Sequence, residues 1–286
     1  MRQFWVCLSK MEDLRQAKEY AKYMEGLGWR VEEGVFVKKL GLIPWSFIKF
    51  QRPSWPIEFE KVDRLAKKHR VIQIKIEPNC LKDKKIEREF IKRGYNKDKS
   101  AMLPTKTIWL DLKKSESQLL KEMHYKTRYN IRKNQGLKIE VVRGDKIKDE
   151  LLKKFYEIYR KNAKKQKFWG LGFKQLKNLL EAFGKKGYLL WVKDLGGLML
   201  LIHDKAVYYS HNAVSDEGRK KFVASLLVWE TMRLGKKLGC QRFDFEGISD
   251  ERFKMTKKWA GFSRFKKSFG GKEVEYIGCF SKWRFR

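Results

Sequence analysis

Between Leu119 and Lys138 the chain reads LLKEMHYKTRYNIRKNQGLK, and this stretch restricts the fold because it carries an apolar row at helical spacing. Wound at about 3.6 residues per turn, Leu119, Leu120, Met123, Thr127 and Ile131 share one side, and Lys121, Tyr125, Arg128 and Arg132 the other. The first face needs a folded domain to dock on. The second, cationic and aromatic, is left to meet a polyanion. A charge run of this kind is ordinary solvated surface when the rest of the chain is balanced. Here 67 Lys and Arg stand against 34 Asp and Glu, a net +33 over 286 residues. Repulsion on that scale works against compactness, so a partner bearing negative charge is expected: nucleic acid, an anionic membrane face or a phosphorylated metabolite.

Hydrophobic residues make up 42% and aromatics 14%, enough for a packed core, which excludes a disordered basic tail. No apolar run has the ~20 residues of a spanning helix, since Tyr188 to His203 is cut by Lys193 and Asp194. The opening MRQFWVCLSKMED has too short an apolar stretch for a secretion signal. A cytoplasmic protein is expected, with peripheral contact at the anionic inner membrane face. Cys7, Cys80, Cys240 and Cys279 lie far apart and read as reduced residues, and His69, His124, His203 and His211 are scattered. No metal and no cofactor is expected from them.

Helical and strand periods alternate. Leu14–Leu27 reads as a helix, Trp29–Lys38 and Trp45–Gln51 as strands, Glu58–Lys68 as a helix, Val71–Ile76 as a strand and Lys84–Arg93 as a helix. After Pro104 come a strand Thr107–Leu112, the basic helix from Ser115 to Gly136 and a strand Leu137–Val142. Helices Lys148–Lys165 and Phe173–Phe183 flank a Gly/aromatic connector, Phe168–Gly172. Strands Tyr188–Lys193, Leu198–His203 and Ala206–His211 follow, then a helix Arg219–Leu238, a strand Gln241–Glu246 and two short strands around Gly270–Gly271. The pattern implies an α/β class with mixed sheets flanked by helices, and the second part resembles the acetyltransferase-like fold.

Three ordered motifs carry a more specific likeness: TIWLDLKKSESQLLKEMHYKTRYNIRKNQGLKIEV from Thr107, LLVWETMRLGKKLGCQRFDFEGI at Leu226–Ile248, and GFSRFKKSFGG at Gly261–Gly271. Together they resemble the Fem-type (FemABX) aminoacyltransferases that build interpeptide bridges in bacterial peptidoglycan. The resemblance implies two acetyltransferase-like (GNAT-like) subdomains packed together, expected at 1–105, with 272–286 returning to it, and at 106–271. It implies transfer of an amino acid from aminoacyl-tRNA to the stem peptide of a UDP-linked or lipid-linked muramyl precursor. Lys126, Arg128, Arg132 and Lys133 would then pair with tRNA phosphates, giving affinity without sequence information. Tyr125 or Tyr129 would stack on a terminal base or pack.

The chemistry implied is aminolysis of an ester, which passes through an oxyanion. Lys266, in F-K-K-S-F-G-G, matches the family's lysine near the transferred carbonyl, where an ammonium favours the transition state; otherwise it is a solvated lysine beside Lys267. Glu77, in I-K-I-E-P, matches an acidic strand end in the family, with Lys75 in place of an arginine. It would orient Lys266 or take a proton from the incoming amine, or serve as a turn carboxylate before Pro78. Asp244, in F-D-F-E-G, is a substrate contact or a structural acceptor. Tyr209 and His211, in Y-Y-S-H-N, have a site reading and a core reading, and Phe265 is taken with them as a substrate contact.

The chain departs from the family near its first helix. Tyr20 and Met24 stand where relatives show a tryptophan and a lysine, leaving Lys22 or Arg52 to meet the precursor's diphosphate, and the arginine and tyrosine expected around Leu171 and Gln175 are absent. Two other functions remain open. An acyl-CoA-dependent N-acyltransferase would need small residues where G-R-K-K-F-V-A-S places Lys221 and Val223. A non-catalytic RNA-binding protein would use the same charge without turnover.

Overall fold

The computed structural model describes residues 11–166, 168 and 170–284; Cys7, with the opening segment, and Trp169 of the connector lie outside the described residues. The chain divides into two compact units, one of residues 1–106, 250–257 and 274–286, the other of 107–249 and 258–273. Residues 250–257, expected in the second unit, belong to the first.

The first unit opens with α1 (Lys18–Gly26), β1 (Arg30–Glu32) and β2 (Val35–Lys39). The expected single strand over 29–38 is divided because Glu33 and Gly34 take positive φ, 52° and 78°, and turn β1 antiparallel onto β2. Then come β3 (Ser46–Gln51), α2 (Phe59–Lys68), β4 (Val71–Glu77), α3 (Lys84–Lys92) and β5 (Asn96–Asp98). The sheet order is β1-β2-β3-β4-β13-β5, where β13 is the final strand, Cys279–Trp283. Only β3 and β4 run parallel, and α2 connects them, burying Val62, Leu65 and Ala66. Asp83 starts α3 by accepting N–H bonds from Lys85 and Ile86 at 2.6 and 3.2 Å. The Phe90 ring of α3 stacks on Phe280 of β13 at 4.0 Å between centroids, closing the core over the carboxy-terminal strand.

The second unit contains β6 (Lys106–Asp111), α4 (Glu116–Glu122), α5 (Tyr125–Lys133), β7 (Glu140–Arg143), α6 (Asp149–Lys165), α7 (Phe173–Phe183), β8 (Gly187–Val192), β9 (Gly196–His203) and β10 (Ala206–Val214). It continues with α8 (Asp216–Lys220), α9 (Val223–Lys237), β11 (Arg242–Asp244), α10 (Ala260–Lys267) and β12 (Lys272–Glu275). Its sheet runs β12-β6-β11-β10-β9-β8-β7, with β10 and β11 parallel across the α9 connection. The interior strand β9 is buried along Gly196–Leu201, as its unbroken apolar run requires.

The basic stretch is two helices, not one. Met123 is extended, with ψ 152°, and His124 restarts the helix: its ring nitrogen accepts the Lys126 N–H at 3.3 Å, and its own N–H donates to the Ser268 carbonyl at 2.8 Å. The division of faces survives, since Leu119, Met123, Thr127 and Ile131 are buried while Lys121, Tyr125 and Arg132 are exposed. The expected helix over 219–238 is likewise broken, by Phe222 at φ 57°. Near the carboxy terminus α10 forms where no helix was expected, and β12 follows Gly270–Gly271 instead of flanking it. Gly271, at φ 86°, passes so close to β6 that a Cβ would lie 2.6 Å from the Trp109 carbonyl oxygen.

Phe280→Ala removes one half of the Phe90 stack from a fully buried position. Denaturant unfolding should show a loss of about 3–5 kcal/mol; a loss under ~1 kcal/mol would mean that β13 contributes little to the first unit's core.

Candidate active site

The turn after β11 is built around a lysine. Phe243 and Phe245 point into the second unit's core, and Asp244 points the other way. Glu246 at φ 57° and Gly247 at φ 120° then wrap the chain, so that the carbonyls of Phe245 and Gly247 both accept from Lys266 Nζ, at 2.7 and 2.6 Å. Lys266 lies on α10 with its side chain buried, and its ammonium sits 5.0 Å from the Tyr209 ring centroid and 5.1 Å from that of Phe262. Among the described residues it has no ion pair. Burial pushes its pKa down to about 8, against the opposing influence of Glu246 and Asp244. The unfolded lysine keeps its proton up to about 10.5, so this group's penalty on folding is present below pH 8 and is relieved as pH rises from about 8 to 10.5.

The neighbouring residues are more fully engaged. Asp244 accepts from the Thr107 hydroxyl and the Glu246 N–H through Oδ1, at 2.6 and 2.8 Å, and from the Trp109 indole through Oδ2 at 2.7 Å. That is a positioning role. Tyr209 lies half-buried against Phe245, and burial pushes its hydroxyl up to about 12 despite a hydrogen bond with Asn212. His211 shares a 2.8 Å hydrogen bond with the Ser210 hydroxyl, meets the Tyr159 ring edge-on, and is held neutral by burial, with a pKa of about 4. Phe265 packs on Phe269 at 5.1 Å and faces the core.

Glu77 belongs to the first unit. It is buried at the end of β4, where Oε1 accepts the N–H groups of Met102 and Leu103 at 2.7 and 3.0 Å, while Oε2 has no hydrogen-bond partner among the described residues. Burial raises its pKa, with Arg52, the two amides and Arg15 working against that. Arg52 donates to the Pro104 carbonyl at 2.6 Å, lies 3.4 Å over the Tyr276 ring and 4.0 Å from Asp13. Lys75 is tied to Asp98 and to the Ser100 carbonyl, both at 3.0 Å, whereas Lys22 is exposed on α1. A cavity of about 310 Å³ in this unit, floored by Trp55, Ile57, Phe59 and Ile86, is lined by none of the candidate residues.

On α5, Lys126, Arg132 and Lys133 are exposed beside Tyr125 and Tyr129, whose rings are exposed too. Lys126 hovers 5.9 Å from Tyr125 and Lys133 6.0 Å from Tyr129. Arg128 differs: it donates to the Met123 and Lys121 carbonyls and so caps the end of α4. The sequence reading missed the Phe245 and Gly247 carbonyls and the Phe262 ring. The signals available were the F-E-G turn and the i, i+4 spacing of Phe262 to Lys266. It also missed Asp250, which binds Arg252 at 2.6 Å and the Thr105 hydroxyl at 2.6 Å in the first unit, where D-x-R was the available clue.

The FemAB family model matches residues 93–193 and 192–283. No curated protein sequence matches the chain. Among solved structures the chain is similar to FemX, with a TM-score of 0.80 at 16% identity over 96% of this chain and 93% of that one. It is also similar to L-PGS from Bacillus licheniformis, at 0.62 and 12% over 97% and 93%. A tandem GNAT protein from the clavulanic acid biosynthesis pathway gives 0.53 and 9% over 87% and 78%. At these identities the likeness is one of fold: α/β, GNAT-like, with two mixed sheets flanked by helices.

Burial also lowers Lys49 to about 8, against Trp29, with Lys38 adding to the shift and Glu77 opposing it. Proton NMR of lysine-labelled protein should therefore show two side chains titrating near pH 8, one lost in Lys266→Met and the other in Lys49→Met. Titration of both near 10.5 would contradict the burial of these ammonium groups.

Proposed function

The chain belongs to the FemAB family, the Fem-type transferases of peptidoglycan interpeptide bridges, and on that premise we propose that it moves an amino acid from aminoacyl-tRNA onto the stem peptide of a muramyl precursor. The observation that carries the reading is the Lys266 ammonium. It has three N–H donors, of which Phe245 and Gly247 take two. The third is left for an acceptor that develops charge, in a place where burial keeps water from screening it. As the stem-peptide amine attacks the aminoacyl ester, the carbonyl oxygen becomes an oxyanion, Lys266 donates to it, and the ribose hydroxyl leaves when the oxyanion collapses.

The attacking amine must lose a proton. That proton passes to solvent or to a carboxylate, and the departing ribose oxygen gains one in exchange; the first unit's Glu77, with its raised pKa and an Oε2 that has no hydrogen-bond partner among the described residues, has the chemistry of such a carboxylate. The donor's phosphates are assigned to Lys126, Arg132 and Lys133, with Tyr125 and Tyr129 offering ring faces to unpaired bases. Arg128 contributes by holding the two basic helices in register. Tyr209 and Phe262 shield the lysine. For the precursor's diphosphate, Lys22 is the exposed one of the three first-unit candidates, while Arg52 and Lys75 support that unit from within. The reading places the protein in the cytoplasm, peripherally at the inner membrane face. Among the described residues no helix is long and apolar enough to cross a membrane.

Radiolabelled amino acid on charged tRNA should transfer to muramyl-pentapeptide precursors, either nucleotide-linked or lipid-linked. Lys266→Ala should lower kcat by about 10²–10³ while tRNA affinity stays within about twofold. The triple change Lys126→Ala, Arg132→Ala and Lys133→Ala should instead weaken tRNA binding and flatten its salt dependence by about one unit of log–log slope per side chain. tRNA binding without turnover across a panel of charged tRNAs and acceptors would sink the enzyme reading in favour of an RNA-binding protein. Turnover with acyl-CoA alone would favour an ordinary N-acyltransferase.

A further inference from the structure

The connection between β2 and β3 is six residues without a charge, Leu40–Trp45, in a chain of which 35% is Asp, Glu, Lys or Arg. The Leu40 N–H donates to the Trp45 carbonyl at 2.9 Å and the Ile43 N–H to the Leu40 carbonyl at 3.3 Å, so the loop closes on itself. Gly41 makes the bend at φ 58°, and a Cβ there would meet nothing within 4 Å. Pro44 has no N–H to satisfy. These two bonds fix the loop's shape, while Leu42 is 103% exposed, Ile43 46% and Trp45 48%. Single apolar residues on a surface are ordinary. Four consecutive apolar residues on a projecting tip are not.

The surroundings are cationic. Between Glu33 and Glu58 the chain has no acidic residue. Exposed Lys39 adjoins the tip, exposed Arg70 accepts the Ser46 N–H on its carbonyl at 3.2 Å, and exposed Lys67 accepts the Arg70 N–H at 3.3 Å. None of these three cations has an ion pair among the described residues. We propose that the β2–β3 tip anchors the protein to an anionic phospholipid bilayer. Leu42, Ile43 and Trp45 would enter the acyl boundary, where tryptophan is favoured, and Lys39, Lys67 and Arg70 would meet headgroup phosphates. Nucleic acid would explain the cations but gives no role to the aliphatic Leu42 and Ile43. A bilayer uses both. The proposal stands apart from the transferase reading, because vesicle binding needs neither tRNA nor acceptor.

Cosedimentation of the full chain with vesicles of phosphatidylglycerol and phosphatidylcholine, compared with phosphatidylcholine alone, tests it. Wild type should bind the anionic vesicles, Leu42→Ser/Trp45→Ser should lose at least about tenfold in partitioning at an unchanged thermal midpoint, and Lys39→Glu should weaken binding in the same direction. Equal binding by the double variant would overturn the proposal, because charge elsewhere would then suffice. It would also fall if wild type ignored anionic vesicles, or if it self-associated through the tip and the double variant became monomeric with vesicle binding unchanged.

Discussion

An ammonium taken out of water without an ion pair must be held by dipoles, and among the described residues the geometry around Lys266 meets that requirement. Two carbonyls two positions apart in sequence, Phe245 and Gly247 with Glu246 between, converge on one nitrogen because the backbone turns through positive φ at Glu246 and Gly247. That turn is in turn pinned from behind. Asp244 ties β11 to Thr107 and Trp109 of β6, and the Gly247 N–H reaches the Thr107 hydroxyl at 3.3 Å. Lys266 therefore reports on a chain of contacts running through the middle of the second unit's sheet. The depressed pKa follows from burial, which the nearby charges of Glu246 and Asp244 offset only in part.

The same device recurs across the molecule and accounts for part of its charge surplus. Lys38 donates to the Leu27 and Gly28 carbonyls beyond the end of α1, both at 2.8 Å. Lys282 donates to the Arg93 carbonyl beyond α3 at 2.9 Å, and Lys236 to the Leu112 carbonyl at 2.6 Å. Arg128 serves the end of α4 in this way. Cations near helix ends and loop carbonyls satisfy orphan acceptors without needing acidic partners. The exposed cations on α5 and around the β2–β3 tip are the ones assigned to partners in the two proposals, and the two surfaces differ in chemistry: tyrosine faces among cations on the first, aliphatic side chains and an indole beside cations on the second.

Much of the fold was legible because it rests on periodicity. The strands β3, β4 and β6 and the helices α6 and α7 lie where alternating or helical apolar spacing placed them, and the buried positions of the basic stretch fell on the expected face. The misses share a cause. Glu33, Met123 and Phe222 interrupt elements through backbone angles that their side chains do not announce, and α10 was hidden by the glycine and cations in A-G-F-S-R-F-K-K. The family resemblance, not residue type, marked Lys266 in the second unit and Glu77 in the first as candidates, and it did not give their surroundings. The groups that hold Lys266 are backbone carbonyls, which every residue possesses, so nothing in the sequence singles them out. Asp244 and Arg128 carry the right charges for substrate contacts, yet their hydrogen bonds are spent on the strand and on the helix end.

The central claim is that Lys266 acts as an ammonium. Single-turnover transfer from aminoacyl-tRNA, followed against pH under conditions where chemistry limits the rate, tests it most directly. The account expects the rate to fall as pH rises through about 8, the pKa to which burial brings the lysine, with Lys266→Arg moving that limb to higher pH. A rate that instead climbs through pH 8, and loses that rise in Lys266→Arg, would make the lysine a proton acceptor and contradict the account.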